Sequence, residues 1–163
     1  MTQSDIKKIV ENLIQTFLDA GKISINLRKK GLTKEIKSDN TPVSNGDLEV
    51  NKILSKKILS LTPNIPIVSE ETSENKSKNN LENFWLIDPI DGTYDYINDL
   101  DEFTINAGLI IQKKPVAGLI YAPAKNRMFY SYGDDLSFEL ISGKPNKLDL
   151  SLIHISEPTR PLY

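Results

Sequence analysis

The chain has 163 residues, of which 39% are hydrophobic, enough for one domain with a buried core. Its 20 lysine and arginine residues are balanced by 22 acidic residues, giving a formal net charge of -2. This balance excludes a broad positive surface, so we expect no nucleic-acid partner. Any phosphate group must then be bound by a local arrangement of residues.

The sequence contains no cysteine, which excludes disulfides, thiolate metal sites and cysteine nucleophiles. Oxygen ligands are therefore the obvious metal chemistry, and a reducing, cytoplasmic setting is expected. The first residues lack a basic segment followed by an apolar one, and no apolar run approaches the roughly 20 residues that cross a bilayer. We expect neither an export signal nor an integral membrane segment.

Two helices are predicted in the first part of the chain. Apolar residues at helical spacing predict the first helix over 4–29, with Ser4 and Asp5 as candidate caps. The polar stretch 34–42 is predicted as a hairpin or loop, because its final proline disfavours a continued regular element. Ser44 followed by Asp47 resembles a capping box and predicts the start of the second helix.

Short apolar runs bounded by turn-forming residues predict strands in the rest of the chain. The first two are 65–68 and 84–87, with a polar surface loop over 71–83 between them. A short helical turn is predicted after Gly92. Three further strands are predicted at 103–111, 116–121 and 128–132, separated by 113–115 and 122–127. Two helices followed by a mostly antiparallel sheet indicate an α+β fold.

The most informative segment is 85–93, where an apolar strand runs into two carboxylates, Asp88 and Asp91, that flank a proline. Mg²⁺ prefers hard oxygen ligands, and Asp88, the Ile90 carbonyl and Asp91 could supply them. Gly92 and Thr93 could offer backbone amides and a hydroxyl to a phosphate group. Aspartate, proline and glycine also dominate ordinary turns, and chemistry alone favours the two interpretations about equally.

A second apolar run, 65–68, also leads into acidic residues, at Glu70 and Glu71. Taken alone, this pattern is more typical of the start of a solvated loop. Two strand ends that both carry carboxylates, however, could converge on one cation.

Three separated motifs in this sequence resemble those of the lithium-sensitive, metal-dependent inositol monophosphatase superfamily. The first is the six-residue run 88–93, Asp-Pro-Ile-Asp-Gly-Thr, and the second is Ser69-Glu70-Glu71. The third is the loop 37–44 together with Asp47. Within the superfamily, Glu-Phe-Thr-Ile-Asn at 102–106 is more similar to the bisphosphate nucleotidase branch, and the likeness covers roughly 4–150.

The resemblance implies roles for individual residues. Glu70, Asp88 and the Ile90 carbonyl would bind one Mg²⁺, and Asp88 and Asp91 a second, so that two or more ions are expected. The substrate phosphate would be held by the same segment, and Thr93, partnered by Asp47, would orient or deprotonate the attacking water. The implied phosphate-binding set is Glu70, Ile90, Asp91, Gly92 and Thr93.

The resemblance also implies a fold and an activity. The fold would be the N-terminal metal-binding part of a layered α/β sandwich of the sugar-phosphatase type. The activity would be hydrolysis of the 3'-phosphate of adenosine 3',5'-bisphosphate, a small-molecule nucleotide substrate. The alternatives are an inositol monophosphatase or related sugar phosphatase, and an inactive metal-binding fragment. Peripheral association with the inner face of the cell membrane would fit some members of this branch.

The end of the chain departs from the family pattern. Residues 1–150 are expected to form the α+β domain, whereas 151–163 do not resemble the family and are interpreted as a loose or artefactual tail. His154, the only histidine, is therefore not interpreted as a base or a ligand. The family's second subdomain, with a further metal-binding aspartate and most of the nucleotide pocket, is expected to be missing.

Overall fold

The computed structural model describes residues 1–36, 42–71 and 81–149. The predicted tail with His154, most of the polar loop 71–83 and most of the stretch 37–42 therefore lie outside the described residues. The expected division of the chain at residue 150 stays a prediction. Within the described ranges, no helix combines the length and the apolar composition needed to cross a membrane.

The first helix, α1, spans Gln3–Lys30 and confirms the helix predicted over 4–29. Its cap differs from the prediction. Thr2, and neither Ser4 nor Asp5, is the N-cap, and its side chain accepts a hydrogen bond from the Asp5 amide. The Asp5 carboxylate accepts from the Thr2 amide in return, which completes a capping box and also lowers the pKa of Asp5.

The predicted second helix is also confirmed, as α2 over Asn45–Leu61. Ser44 is its N-cap and Asp47 completes the capping box, as the sequence indicated. Ahead of it, β1 (Lys34–Ile36) and β2 (Pro42–Ser44) pair antiparallel, so the polar stretch includes a short two-stranded sheet.

A seven-stranded sheet runs in the order β3 to β9. The first pair, β3 and β4, is parallel, and every later pair is antiparallel, which confirms a mostly antiparallel sheet. Between β4 and β5 lies the five-residue helix α3, Thr93–Ile97. The strands are β3 (Ile67–Ser69), β4 (Phe84–Asp91), β5 (Thr104–Ile111), β6 (Lys114–Ala122), β7 (Arg127–Ser131), β8 (Ser137–Ile141) and β9 (Lys144–Lys147).

Two details of the predicted sheet were wrong. Residues 113–115 were predicted to separate two strands, but Lys114 and Pro115 belong to β6. The turn is tighter, because Gln112 and Lys113 adopt φ values of 52° and 62°, the left-handed conformation that a two-residue hairpin connection requires. The final hairpin of β8 and β9 was not predicted, because its side chains are only partly buried or exposed and carry little apolar alternation.

Both long helices pack on one face of the sheet, α1 against β6 and α2 against β4, and they also contact each other. Trp85 is fully buried there and donates its indole N–H to the Thr62 hydroxyl at 3.0 Å, so it is a core residue. The opposite face has no described helix against it. Fully buried core side chains include Val10, Leu13, Phe17, Leu54, Ile58, Trp85, Leu109 and Leu119.

Candidate active site

Strand β4 does not stop before the two carboxylates but continues through them to Asp91. Asp88 pairs with Asn106 and Asp91 with Thr104, with an irregular register between the two pairs. Three steps along β4 therefore match two steps along β5, which is a β-bulge around the buried Pro89 and Ile90. The bulge turns the strand end and re-aims the side chains of Asp88 and Asp91.

Gly92 follows directly and allows the chain to turn into α3. Its φ is 91°, a conformation that residues with a Cβ rarely adopt. A Cβ at this position would also lie 2.6 Å from the Glu102 carbonyl oxygen. The turn therefore excludes a side chain for two independent reasons, and it places Thr93 immediately beside the carboxylates.

Asp47 and Thr93 are 46 residues apart in the chain and lie in hydrogen-bond contact. The Thr93 hydroxyl is 3.0 Å from Asp47 Oδ1 and 2.9 Å from the Ile90 carbonyl oxygen. Asp47 is 1% exposed, and its other oxygen, Oδ2, accepts hydrogen bonds from the amide and the hydroxyl of Ser44. The capping box thus fixes the carboxylate of Asp47 and turns Oδ1 towards Thr93.

Glu70 follows β3 and reaches the same end of the sheet as Asp88, because β3 is parallel to β4 and its last residue, Ser69, pairs with Ile87. The Glu70 amide donates to the Ile87 carbonyl at 3.1 Å, which continues the pairing past the end of β3. The preceding Ser69 is buried and donates its hydroxyl to Asn51 of α2 at 2.7 Å. Asn51 therefore ties the strand end that carries Glu70 to a long helix.

Negative charges of neighbouring carboxylates dominate the electrostatics at this end of the sheet. Burial raises the pKa of Asp88 to about 7, and the negative charges of Glu70, Asp91 and Asp47 contribute to the shift in the same direction. Burial, together with the charge of Asp47, also raises the pKa of Tyr96, whose hydroxyl donates to the Ser24 carbonyl at 2.7 Å. A cation is the ligand that this concentration of carboxylates would favour.

The donors that meet here suit a hard divalent cation, because all of them are oxygens. Asp88 Oδ1 is buried and has no hydrogen-bond partner in the part of the chain that the structure describes, which makes it a ready ligand. Among the described residues, however, no three acidic or histidine side chains converge closely enough to enclose an ion. Carboxylates repel one another, so a spread arrangement is what their charges alone would favour.

The structure thus brings together the residues singled out in the sequence: Glu70, Asp88 and Asp91 at adjoining strand ends, and Asp47 in contact with Thr93. Their catalytic, metal-binding and phosphate-binding roles stay predictions. Sequence reasoning did not single out Asn51 or Asn106 as functional. A signal for Asn106 was available, because it is a polar residue flanked by Ile105 and Ala107 in a mostly apolar strand.

Comparison of the sequence with known proteins identifies a matching protein family. The model of the Inositol monophosphatase family matches residues 5–149. The 3'(2'),5'-bisphosphate nucleotidase CysQ of Haemophilus influenzae is 34% identical over 143 residues, which are 86% of this chain and 53% of that protein. CysQ of Buchnera aphidicola is 32% identical over 89% of this chain and 56% of its own length. The chain spans about half the length of the curated relatives it matches.

Solved structures show the same fold. The extragenic suppressor protein suhB of Bartonella henselae matches 81% of this chain and 52% of its own with a TM-score of 0.72 at 23% identity. An IMPase/NADP phosphatase complexed with Mg²⁺ and phosphate matches 85% of this chain and 52% of its own, with a TM-score of 0.70 at 18% identity. The expected layered α+β fold is confirmed, and these structures share about one half of it with this chain.

Proposed function

The chain belongs to the inositol monophosphatase family, and from this premise we propose that it is the catalytic half of a Mg²⁺-dependent phosphomonoesterase. The proposed reaction is hydrolysis of the 3'-phosphate of adenosine 3',5'-bisphosphate to AMP and phosphate. The curated relatives described above support the substrate, since both are 3'(2'),5'-bisphosphate nucleotidases. Substrate and activity are those of the whole enzyme, of which this chain matches about half.

The observation that carries the proposal is the contact between Thr93 and Asp47 at the edge of the carboxylate cluster. Because Asp47 Oδ2 is occupied by two donors from Ser44, Oδ1 is the oxygen that accepts the proton of Thr93. The oxygen of Thr93 then has a lone pair free to accept a hydrogen from water. The pair can therefore orient a water molecule next to Asp88 and Asp91.

The proton path follows from the same contacts. As water attacks phosphorus, one of its protons passes to the Thr93 oxygen, and the Thr93 proton passes to Asp47 Oδ1. The bond from phosphorus to the 3'-oxygen breaks, and that oxygen takes a proton from solvent water to become the 3'-hydroxyl of AMP, while Asp47 later returns its proton to solvent. Gly92 and Thr93 would hold the phosphate during this exchange.

Glu70, Asp88, Asp91 and the Ile90 carbonyl would hold the divalent cations, and we call this set the cation centre. Bound Mg²⁺ would neutralise charge on the phosphate oxygens and acidify the attacking water. The Ile90 carbonyl oxygen, 2.9 Å from the Thr93 hydroxyl, stays available to a cation, because the single hydroxyl hydrogen of Thr93 is donated to Asp47. The choice of ion is supported by the IMPase/NADP phosphatase described above, whose solved structure is complexed with Mg²⁺ and phosphate. Two or more ions are proposed.

The test is phosphate release from adenosine 3',5'-bisphosphate and, separately, from inositol 1-phosphate, each with Mg²⁺ and with EDTA. It compares this chain with the full open reading frame of its gene, each also as the Asp91→Asn variant. Asp134→Asn is the matched control, since Asp134 is exposed in a distant loop. We expect Mg²⁺-dependent release from the bisphosphate that Asp91→Asn lowers by about 100-fold or more and the control leaves unchanged.

Each alternative has its own outcome. Preferential release from inositol 1-phosphate would replace the nucleotidase with an inositol monophosphatase. Activity in the full reading frame but none in the 163-residue chain would make this chain an inactive metal-binding fragment. Release that persists in EDTA, or that Asp91→Asn leaves intact, would contradict the proposal. The expected cytoplasmic location and peripheral membrane association stay predictions.

A further inference from the structure

Asn106 occupies a singular position beside the cation centre. It lies on β5 directly opposite Asp88 in the strand pairing, so the two side chains share one face of the sheet with Cβ atoms about 5 Å apart. Its amide nitrogen Nδ2 donates to Asp91 Oδ2 at 3.2 Å. One neutral side chain therefore adjoins both aspartates of the bulged strand end.

In the described part of the chain, the nitrogen of the Asn106 side-chain amide has a hydrogen-bond partner and the oxygen has none. Its oxygen, Oδ1, and Asp88 Oδ1 are the buried side-chain atoms that lack a hydrogen-bond partner in the described part of the chain. When Asp88 is ionised, as a cation ligand is, both atoms are acceptors and neither can satisfy the other, and a buried acceptor without a partner is unfavourable. Turning the amide over would set its oxygen against the Asp91 carboxylate, so reorientation does not remove the deficit.

A donor or a cation must therefore reach both oxygens in the working enzyme. A divalent cation would satisfy Asp88 directly, and the water molecules that such an ion retains carry hydrogens that the amide oxygen of Asn106 can accept. The amide adds no charge, whereas a carboxylate at this position would add to the repulsion among Glu70, Asp88 and Asp91.

We propose that Asn106 is a positioning residue of the cation centre. Its amide nitrogen holds one oxygen of Asp91 and leaves the other for the ion, and its amide oxygen accepts a hydrogen bond from the ion's hydration water. The inference rests on the proposed function, because it takes the carboxylates to be cation ligands. The inference adds Asn106 to the cation centre as a neutral residue that orients the carboxylates through its amide group rather than through a charge.

The test measures binding of Mn²⁺ alone, without substrate, by the free-ion signal in electron paramagnetic resonance. Asn106→Leu keeps the approximate shape of the side chain and removes both hydrogen-bonding groups. Asn98→Leu is the matched control, because Asn98 is an exposed asparagine that donates only to the nearby Tyr94 carbonyl. We expect Asn106→Leu to weaken Mn²⁺ binding by about 10- to 100-fold and Asn98→Leu to leave it unchanged.

Thermal unfolding separates positioning from a structural role. A positioning role predicts that Asn106→Leu unfolds in EDTA at the wild-type temperature or above it, since a buried oxygen without a partner has been removed, and that the stabilisation by Mn²⁺ is lost. Wild-type affinity for Mn²⁺ in Asn106→Leu, or weakened affinity together with a large loss of stability in EDTA, would overturn the inference alone. A wild-type chain that binds no Mn²⁺ would overturn the cation centre of the proposed function and this inference with it. Mn²⁺ binding that depends on Asn106, without phosphate release by the full reading frame, would overturn only the proposed function.

Discussion

Asp88 shows how a single residue takes its properties from its surroundings. The same carboxyl group on an exposed loop would ionise near its usual pKa of 3.8, yet here burial and neighbouring carboxylates raise that pKa to about 7. Its Oδ1 has no donor among the described residues that could offset burial of the charge. Below about pH 7 the folded, metal-free chain therefore favours the protonated form of Asp88.

A dependence of stability on pH follows. Because the pKa of Asp88 is higher in the folded chain, its contribution to stability is complete at pH values below 3.8 and is lost as the pH rises towards about 7. In EDTA, we expect the gain in unfolding free energy from Asp88→Asn to be larger at about pH 8 than at about pH 5. Urea unfolding at both pH values measures it.

The control for this comparison is Asp19→Asn, because Asp19 is exposed on α1 and paired with Lys22 on the same helix. Its effect on the unfolding free energy should be small and nearly the same at both pH values. An Asp88→Asn variant that is no more stable than the wild type at the higher pH would show that the charge of Asp88 is not unfavourable in the folded chain.

At the scale of the elements, Arg28 joins the end of α1 to the segment that follows α3. Its guanidinium donates to the Leu100 carbonyl at 2.6 Å and pairs with Asp99 at 3.1 Å and Asp101 at 2.9 Å. It also stacks 5.3 Å from the ring centroid of Phe103, and its side chain is only 12% exposed. The segment that leads from the site into β5 is thus held against the first helix.

We expect Arg28→Met to lower the unfolding free energy by about 1–2 kcal/mol, because it removes a charge-assisted hydrogen bond and the packing of a mostly buried guanidinium. Arg127→Met is the matched control: Arg127 also pairs with a carboxylate and stacks on an aromatic ring, but its side chain is 57% exposed. The control should lose under about 1 kcal/mol. Equal losses of unfolding free energy for the two variants in urea titrations would contradict this role of Arg28.

At the scale of the whole molecule, the helices of residues 1–36, 42–71 and 81–149 cover one face of the sheet. On the other face Leu86 lies opposite Gly108, which lies opposite Gly118, and Ile120 follows two residues later on the same face. Leu86 and Ile120 are 51% and 49% exposed. Large apolar side chains are therefore exposed to solvent next to glycines on the same face, and such apolar surfaces promote association.

We expect this chain to associate increasingly as its concentration rises, and the double variant Leu86→Thr/Ile120→Thr to reduce that association severalfold. Threonine keeps the preference for a strand while removing apolar surface. Leu59→Thr is the control, because Leu59 is a comparably exposed leucine, 46%, on the outer side of α2. Sedimentation velocity that shows the same association for the double variant and the wild type would contradict this role of the open face.

The sequence by itself determined the elements whose signals are local. The helical spacing of apolar residues, the capping box at Ser44 and Asp47, and the apolar strand around Trp85 depend on neighbours a few residues away, and each was predicted correctly. The last hairpin was missed because its residues bury too little apolar surface to leave a periodic pattern. The motif 88–93 was likewise visible as a candidate site, because carboxylates, proline and glycine follow one another directly.

Only the tertiary structure decided which distant groups meet. The placement of Asn106 opposite Asp88 depends on the register of β4 and β5 and on the bulge between Asp88 and Asp91, and a shift of one residue would send Asn106 to the helix-covered face. The register places the buried apolar residues of β4 and β6 on the face that packs against α2 and α1, and this packing lies outside the residues around Asn106. For the same reason, burial and the neighbouring carboxylates raise the pKa of Asp88 only in the folded chain.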